Sequence, residues 1–195
     1  YQKDGLYLDA AAQVKAAVNI PVIVAGNMDN PKLGSEAIRS GKCDMVGLGR
    51  PCLADPDIVN KIAWEQFDRI RPCIRCNYGC SVKVHLNAGR QGCAVNAQAA
   101  YELDTVLHPA LEKKKLVVIG GGPGGCECAR VAALRGHEVT LFEAEDHLGG
   151  AMNMASQPPF KYHDKPGLSL IYHKGIHLLQ EPWKPAWTSE RFQRY

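Results

Sequence analysis

Apolar positions along the chain alternate between a helical and a strand rhythm. From Tyr7 to Val18, Leu8, Ala11, Ala12, Val14, Ala17 and Val18 recur at helical spacing, and Asn19 ends the run. Ile20-Pro21-Val22-Ile23-Val24-Ala25 is a short, continuous apolar run rich in β-branched residues. It predicts a parallel strand buried on both faces and stopping at Gly26-Asn27. A helix follows from about Pro31 to Ser40, closed by Gly41 where a left-handed cap is favoured. A second strand over Asp44 to Leu48 ends at Gly49-Arg50-Pro51, and Asp55 as N-cap with Pro56 at the first helical position starts the next helix. The same rhythm returns with a buried strand at Leu116 to Ile119, a helix at Cys126 to Arg135 and a strand at Glu138 to Phe142. The pattern predicts an α/β chain with parallel sheets.

Two stretches fall outside that rhythm. Asp104 to Lys115, with Pro109 and the charge run Glu112-Lys113-Lys114-Lys115, reads as a linker into a new domain, its lysines a solvated approach to the next strand. After Lys161, prolines at 166, 182 and 185, Gly167, three histidines and two tryptophans give neither a helical nor a strand period.

Composition narrows the function classes. The chain has 195 residues, 46% hydrophobic and 22% charged, as in an ordinary globular protein. A net charge of +3 with scattered basic residues points to small-molecule partners rather than nucleic acid. No apolar run approaches the roughly 20 residues that cross a bilayer, and Tyr1 to Asp9 lacks the basic and apolar regions of a signal peptide. The default expectation is a cytoplasmic protein without a membrane partner. Eight cysteines in a chain of this size with β-α-β patterns favour a reducing compartment over a disulfide scaffold. Cys43, Cys52, Cys126 and Cys128 stand among apolar or small residues and read as small hydrophobes.

Cys73, Cys76, Cys80 and Cys93 stand at C-x2-C-x3-C-x12-C. Closely spaced thiolates with a fourth reaching in from a loop suit a soft metal, either a cubane iron–sulfur cluster or a structural zinc. Pro72 breaks the preceding helix, Gly79 permits a sharp turn, and Asn87 to Gly92 carries the turn chemistry that brings Cys93 back.

Upstream, Gly26-Asn27 and Gly49-Arg50 end two consecutive strands. Backbone N–H groups at such glycines and an adjacent guanidinium can grip a phosphate, as the last strands of a TIM barrel do, although both glycines also fit ordinary turns. Downstream, Gly120-Gly121-Gly122-Pro123-Gly124-Gly125 lies between a strand and a helix and reads as G-x-G-x-x-G. Gly120 allows the turn, Gly122 the approach of a pyrophosphate, and Gly125 close helix packing. Glu143 ends the second strand, where a carboxylate can accept both ribose hydroxyls of an adenosine and disfavours a 2'-phosphate. His85, His108 and His137 stand singly, and no residue of the chain reads as a catalytic acid or base.

Val24 to Asn27 and Val46 to Pro56 resemble the final two strands of the old yellow enzyme family of FMN-dependent reductases. Arg71-Pro72-Cys73-Ile74-Arg75-Cys76-Asn77-Tyr78-Gly79-Cys80, followed by Cys93-Ala94-Val95-Asn96, is similar to the cysteine segment of that family's multidomain NADH:flavin oxidoreductase branch. That branch includes 2,4-dienoyl-CoA reductase, trimethylamine dehydrogenase, enoate reductases and bile-acid-inducible flavin oxidoreductases. The chain departs from its pattern at Ala97, where proline is usual, and at Arg75, where a small residue is common and a charge would tune a cluster's potential. Leu148-Gly149-Gly150 and Met152 to Phe160 resemble the extension found in FAD-binding members.

The resemblance implies the C-terminal two β-α units of an FMN-binding TIM barrel at 1–70 and a four-cysteine iron–sulfur segment at 71–103. The linker at 104–115, the first βαβ of a Rossmann-like FAD-binding domain at 116–160 and an atypical tail at 161–195 complete it. It implies FMN phosphate at Gly26, Asn27, Gly49 and Arg50, a [4Fe-4S] cluster on the four cysteines, and FAD at Gly120, Gly122, Gly125, Glu143, Gly149 and Gly150. It further implies NAD(P)H as electron donor and an activated C=C bond as acceptor. The expected whole is longer, with the rest of the barrel, including its proton-donating Tyr or His, before Tyr1, and an NADH-binding segment after the tail. The alternatives are a zinc-stabilised nucleotide-binding module without catalysis and a nonfunctional gene fragment.

Overall fold

The computed structural model describes residues 3–87, 89–158 and 177–179. They form two compact units, the first over residues 3–106 and the second beginning at Leu107.

The first unit opens with α1 (Leu8–Ala17), β1 (Ile23–Ala25), α2 (Pro31–Arg39) and β2 (Met45–Gly47). The two strands pair in parallel, Val24 opposite Val46. Asn30, ahead of the predicted α2 start, is the cap: its Oδ1 accepts the N–H groups of Lys32 and Leu33, and Pro31 fills the first turn. Gly41 takes the left-handed conformation (φ 72°) expected of it. Leu8, Val24, Met28, Ala37 and Cys43 form the core, with Ala11, Leu33, Val46 and Leu48 against it.

The strands differ from expectation in length and burial. Pro21 has no N–H to give a ladder, and the Val22 N–H goes to the Asp44 carboxylate at 2.7 Å, so pairing starts only at Ile23. Val24 is 2% exposed but Ile23 is 61% exposed, so β1 is buried on one face rather than two.

After β2 the chain turns at once into α3 (Arg50–Ala54), capped by Gly49, and then α4 (Ile58–Ala63). Asp55 is therefore not the N-cap of α4; Asp57 holds that place. Asp55 is buried and gathers three donors instead: Lys61 Nζ at 2.6 Å, the Arg71 N–H at 2.8 Å and the Asp57 N–H at 3.1 Å. It thereby fastens α4 to the residue that leads into the cysteine loop. That loop runs into a wide helical turn, Tyr78–Val82, and the short α5 (Lys83–His85).

The second unit holds β3 (Lys115–Ile119), α6 (Pro123–Leu134), β4 (Glu138–Phe142), α7 (Ala151–Ala155) and β5 (His177–Leu179). All three strands are parallel, in the order β3-β4-β5. Among the described residues, this parallel order with α6 crossing between β3 and β4 is Rossmann-like. Val139 and Leu141 of β4 are fully buried, whereas Val117 and Ile119 of β3 are exposed, so the expectation of a fully buried first strand fails. The tail, read as lacking a strand period, contributes β5, which pairs Thr140 with His177; the rest of 161–195 lies outside the described residues. Among the described residues, no helix is long and apolar enough to cross a membrane.

Cys43 and Cys126 are buried, as small hydrophobes should be, and Cys126 Sγ donates to the Gly121 carbonyl at 3.0 Å. Cys128 is exposed, contrary to that reading, because it falls on the outer side of α6.

Candidate functional site

In the first unit, the loops that leave β1 and β2 meet. Gly26 has φ 113°, and a Cβ there would run into the Tyr7 ring at 2.6 Å, so the position requires glycine. Asn27 follows in the left-handed region (φ 53°), which asparagine tolerates better than most residues. Gly49 caps α3 and delivers Arg50 at its first position. Arg50 Nη2 donates to Asn27 Oδ1 at 3.4 Å, and Nη1 donates to Asn77 Oδ1 in the cysteine loop. Sequence reasoning singled out Gly26, Asn27, Gly49 and Arg50, and the structure gathers them at the two strand ends.

The cysteine loop changes direction at Arg75 (φ 56°) and Asn77 (φ 57°), both left-handed, rather than at Gly79 as expected. Gly79 matters for a different reason. It is buried, and a Cβ on it would strike the Gly92 carbonyl group, while the Gly92 N–H donates to the Gly79 carbonyl at 3.1 Å. This close backbone approach carries Cys93 back beside Cys80. Gln91 Nε2 adds a bond to the Cys80 carbonyl at 2.9 Å, and buried Asn96 reaches the Leu53 carbonyl at 2.9 Å.

As a result Cys73, Cys76, Cys80 and Cys93 line one hollow together with Arg50, Arg75 and Asn77, about 290 Å³ counting its open mouth. Among the described residues, no group of three His, Cys, Asp or Glu side chains closes on a single ion position. Burial pushes the Cys73 and Cys80 thiols above their usual pKa, and neighbouring Cys93 pushes both further, while the Arg50 cation opposes the rise at each. Thiols must lose their protons to bind metal, and a backbone N–H bond at each of Cys73 and Cys80, followed by the Arg50 cation, favours that ligating form.

Arg75 also lines the hollow, but its guanidinium is turned to Asp4 at 2.6 Å and Asp29 at 2.8 Å. Burial works against its charge, yet the two carboxylates outweigh burial and hold its pKa above the ordinary value. The charge expected of Arg75 beside the cysteines is balanced by the two carboxylates. Asp4 and Asp29 were missed by sequence reasoning because they reach Arg75 from distant parts of the chain, Asp55 was read only as a helix cap, and Asn77 and Asn96 stood within a motif without a role.

In the second unit, the glycine loop after β3 is fixed by its surroundings. Gly120 has φ 97°, Gly122 caps α6, and a Cβ on Gly125 would collide with the Gly120 carbonyl oxygen. That collision is the physical content of close helix packing. Glu143 Oε2 accepts the Gly121 N–H at 2.5 Å, and Oε1 accepts the Ala144 and Glu145 N–H groups at 2.6 and 3.1 Å. Desolvation raises its pKa, but these three bonds and nearby His147 together hold it below the usual glutamate range. Gly149 and Gly150 return to the same loop: the Gly149 N–H donates to the Gly121 carbonyl at 2.9 Å, and a Cβ on Gly150 would meet Gly122 Cα at 3.3 Å. All six residues predicted for the dinucleotide therefore lie together. Of the lone histidines, His85 Nδ1 pairs with the Ser81 carbonyl at 2.8 Å and His137 Nδ1 accepts the Lys114 N–H at 3.2 Å, both structural contacts.

Residues 5–68 match the NADH:flavin oxidoreductase / NADH oxidase family, and residues 118–187 match an NAD(P)-binding Rossmann-like domain. The second match runs well past Lys161, where the resemblance was expected to fade. The chain is 46% identical to cinnamate reductase of Clostridium sporogenes over 165 residues, 85% of this chain and 25% of that protein. It is 49% identical to bilirubin reductase of Mediterraneibacter gnavus over 149 residues, 76% of this chain and 23% of that protein. A solved complex of 2-naphthoyl-CoA reductase with 2-naphthoyl-CoA superposes with a TM-score of 0.82 at 34% identity, covering 91% of this chain and 28% of that one. The chain spans about a quarter of the length of the curated relatives it matches. Residues 5–68 thus belong to the NADH:flavin oxidoreductase / NADH oxidase family, and the relatives matched across most of the chain are named as reductases.

Proposed function

We propose that this chain is the part of an iron–sulfur flavin oxidoreductase that binds the FMN phosphate, a [4Fe-4S] cluster and the adenosine end of FAD. The observation that carries the reading is the convergence of four cysteines and Arg50 on one hollow beside the strand-end loops. Four cysteine thiolates are the ligand set of a cubane iron–sulfur cluster and of a structural zinc alike, and the flavin-oxidoreductase match over residues 5–68 favours iron. When bound, these groups would supply hydride and single-electron chemistry, with NAD(P)H as electron donor and an activated C=C bond as acceptor.

The chain's own residues bind and position. Gly26, Asn27, Gly49 and Arg50 would hold the FMN phosphate by backbone N–H groups and a guanidinium. Cys73, Cys76, Cys80 and Cys93 would ligate the cluster, with Gly79 letting the fourth thiol approach. Gly120, Gly122 and Gly125 would admit the FAD pyrophosphate, and Gly149 and Gly150 would border it. Glu143 retains acceptor capacity for a ribose hydroxyl beyond its three backbone bonds. The Gly149-Gly150 return favours FAD over NAD(P) at this loop, through its similarity to FAD-binding folds. The names of the cinnamate and 2-naphthoyl-CoA reductases support an enoate or a comparable conjugated acyl group as substrate class, and a cytoplasmic setting accords with free thiols.

Anaerobic purification of the full-length polypeptide, with extraction and identification of its flavins and assay of NADH-dependent cinnamate reduction, tests the proposal. Both FMN and FAD, with iron, should be recovered. Stoichiometric zinc without iron or flavin would establish the zinc-module reading instead.

A further inference from the structure

Two arginines tie the cysteine loop and the strand-end loops together in opposite directions. Arg50 leaves the end of β2 and donates to Asn77 of the cysteine loop and to Asn27 beyond β1. Arg75 leaves the cysteine loop and returns to Asp29, two residues beyond Asn27, with Asp4 as its second partner. Asn27, Arg75 and Asn77 all have left-handed backbones, which asparagine adopts readily and arginine less so, and the cross-ties hold all three.

Arg50 borders both the strand-end loops and the hollow lined by the four cysteines. Its planar guanidinium has five N–H donors, so bonds to two amide oxygens leave donors for a phosphate. Asn77 has no ligand role in a cysteine cluster, yet it stands between Cys76 and Cys80 and accepts from this guanidinium.

We propose that Asn77 is a positioning residue that holds Arg50 between the two sites, so that binding of the FMN phosphate and closure of the cysteine loop on its cluster are one coupled equilibrium. This rests on the function proposed above. Cluster-bound cysteines fix Asn77, which orients Arg50 for the phosphate; bound phosphate orients Arg50, which holds Asn77 and the loop. Linkage makes the factor reciprocal.

The test uses the full-length polypeptide under anaerobic conditions. The FMN dissociation constant is measured by flavin fluorescence quenching, with the cluster present and after its removal. The chelator concentration that strips half of the iron is measured with and without FMN. In the wild type, cluster removal should weaken FMN binding about tenfold, and FMN should shift the chelator midpoint by the same factor. Asn77→Gly keeps the left-handed backbone but removes the acceptor, and should bring both factors close to one; Asn77→Asp retains an acceptor and should preserve them. A wild type that binds both groups with FMN affinity indifferent to the cluster overturns the coupling, as does undiminished coupling in Asn77→Gly. A wild type that takes up no iron or no FMN overturns the proposed function itself.

Discussion

Glu143 accepts three backbone N–H groups and so ties the end of β4 to the glycine loop before any nucleotide arrives. Its carboxyl is held below the ordinary glutamate range. A depressed folded-state pKa means that the anion contributes stability above its unfolded pKa of about 4.3, lost as pH falls through the folded value. The urea midpoint should therefore fall faster for the wild type than for Glu143→Gln between neutral pH and pH about 3; parallel curves would show that the bonds carry no stability. Two glycines make a sharper steric case. Gly79→Ala and Gly125→Ala each drive a Cβ into backbone, at the Gly92 and Gly120 carbonyls, where no side chain can yield. Each should cost about 1–3 kcal/mol in chemical denaturation. Gly122→Ala, where a Cβ meets open space, should cost far less and serves as the control.

At the scale of elements, Asp55 decides how α4 and the cysteine loop are joined. It is 4% exposed and bonded to Lys61, to Asp57 and to the Arg71 N–H, so truncation strands a lysine and two amides at once. Asp55→Ala should destabilise the fold by about 3–5 kcal/mol and reduce iron retention, read as denaturation midpoint and bound iron. Full iron content in a destabilised variant would separate the fold from the loop. Sequence periodicity found β4 to the residue because Val139 and Leu141 alternate with half-buried neighbours over a fully paired strand. It overran β1, since Pro21 and the Asp44 carboxylate decide where pairing begins, and neither changes the apolar pattern. β5 was illegible because His177-Leu178-Leu179 is too short to show a period among prolines, glycines and histidines. In the candidate site, residues in fixed-spacing motifs were legible, whereas Asp4 and Asp29 were not. Their partner, Arg75, is 71 and 46 residues away, and only the fold brings them to it.

At the scale of the whole molecule, two units of different construction follow one another in the order shared with relatives about four times as long. In the first, β1 buries Val24 and leaves Ile23 exposed. The central claim is that Cys73, Cys76, Cys80 and Cys93 hold an electron-carrying cluster. Iron and acid-labile sulfide, quantified with the electron paramagnetic resonance spectrum of the anaerobic protein before and after dithionite, test it most directly. The account predicts about four irons and four sulfides per chain, a signal that appears on reduction, and loss of both iron and signal in Cys80→Ser. Zinc in place of iron, with no signal on reduction, would contradict it.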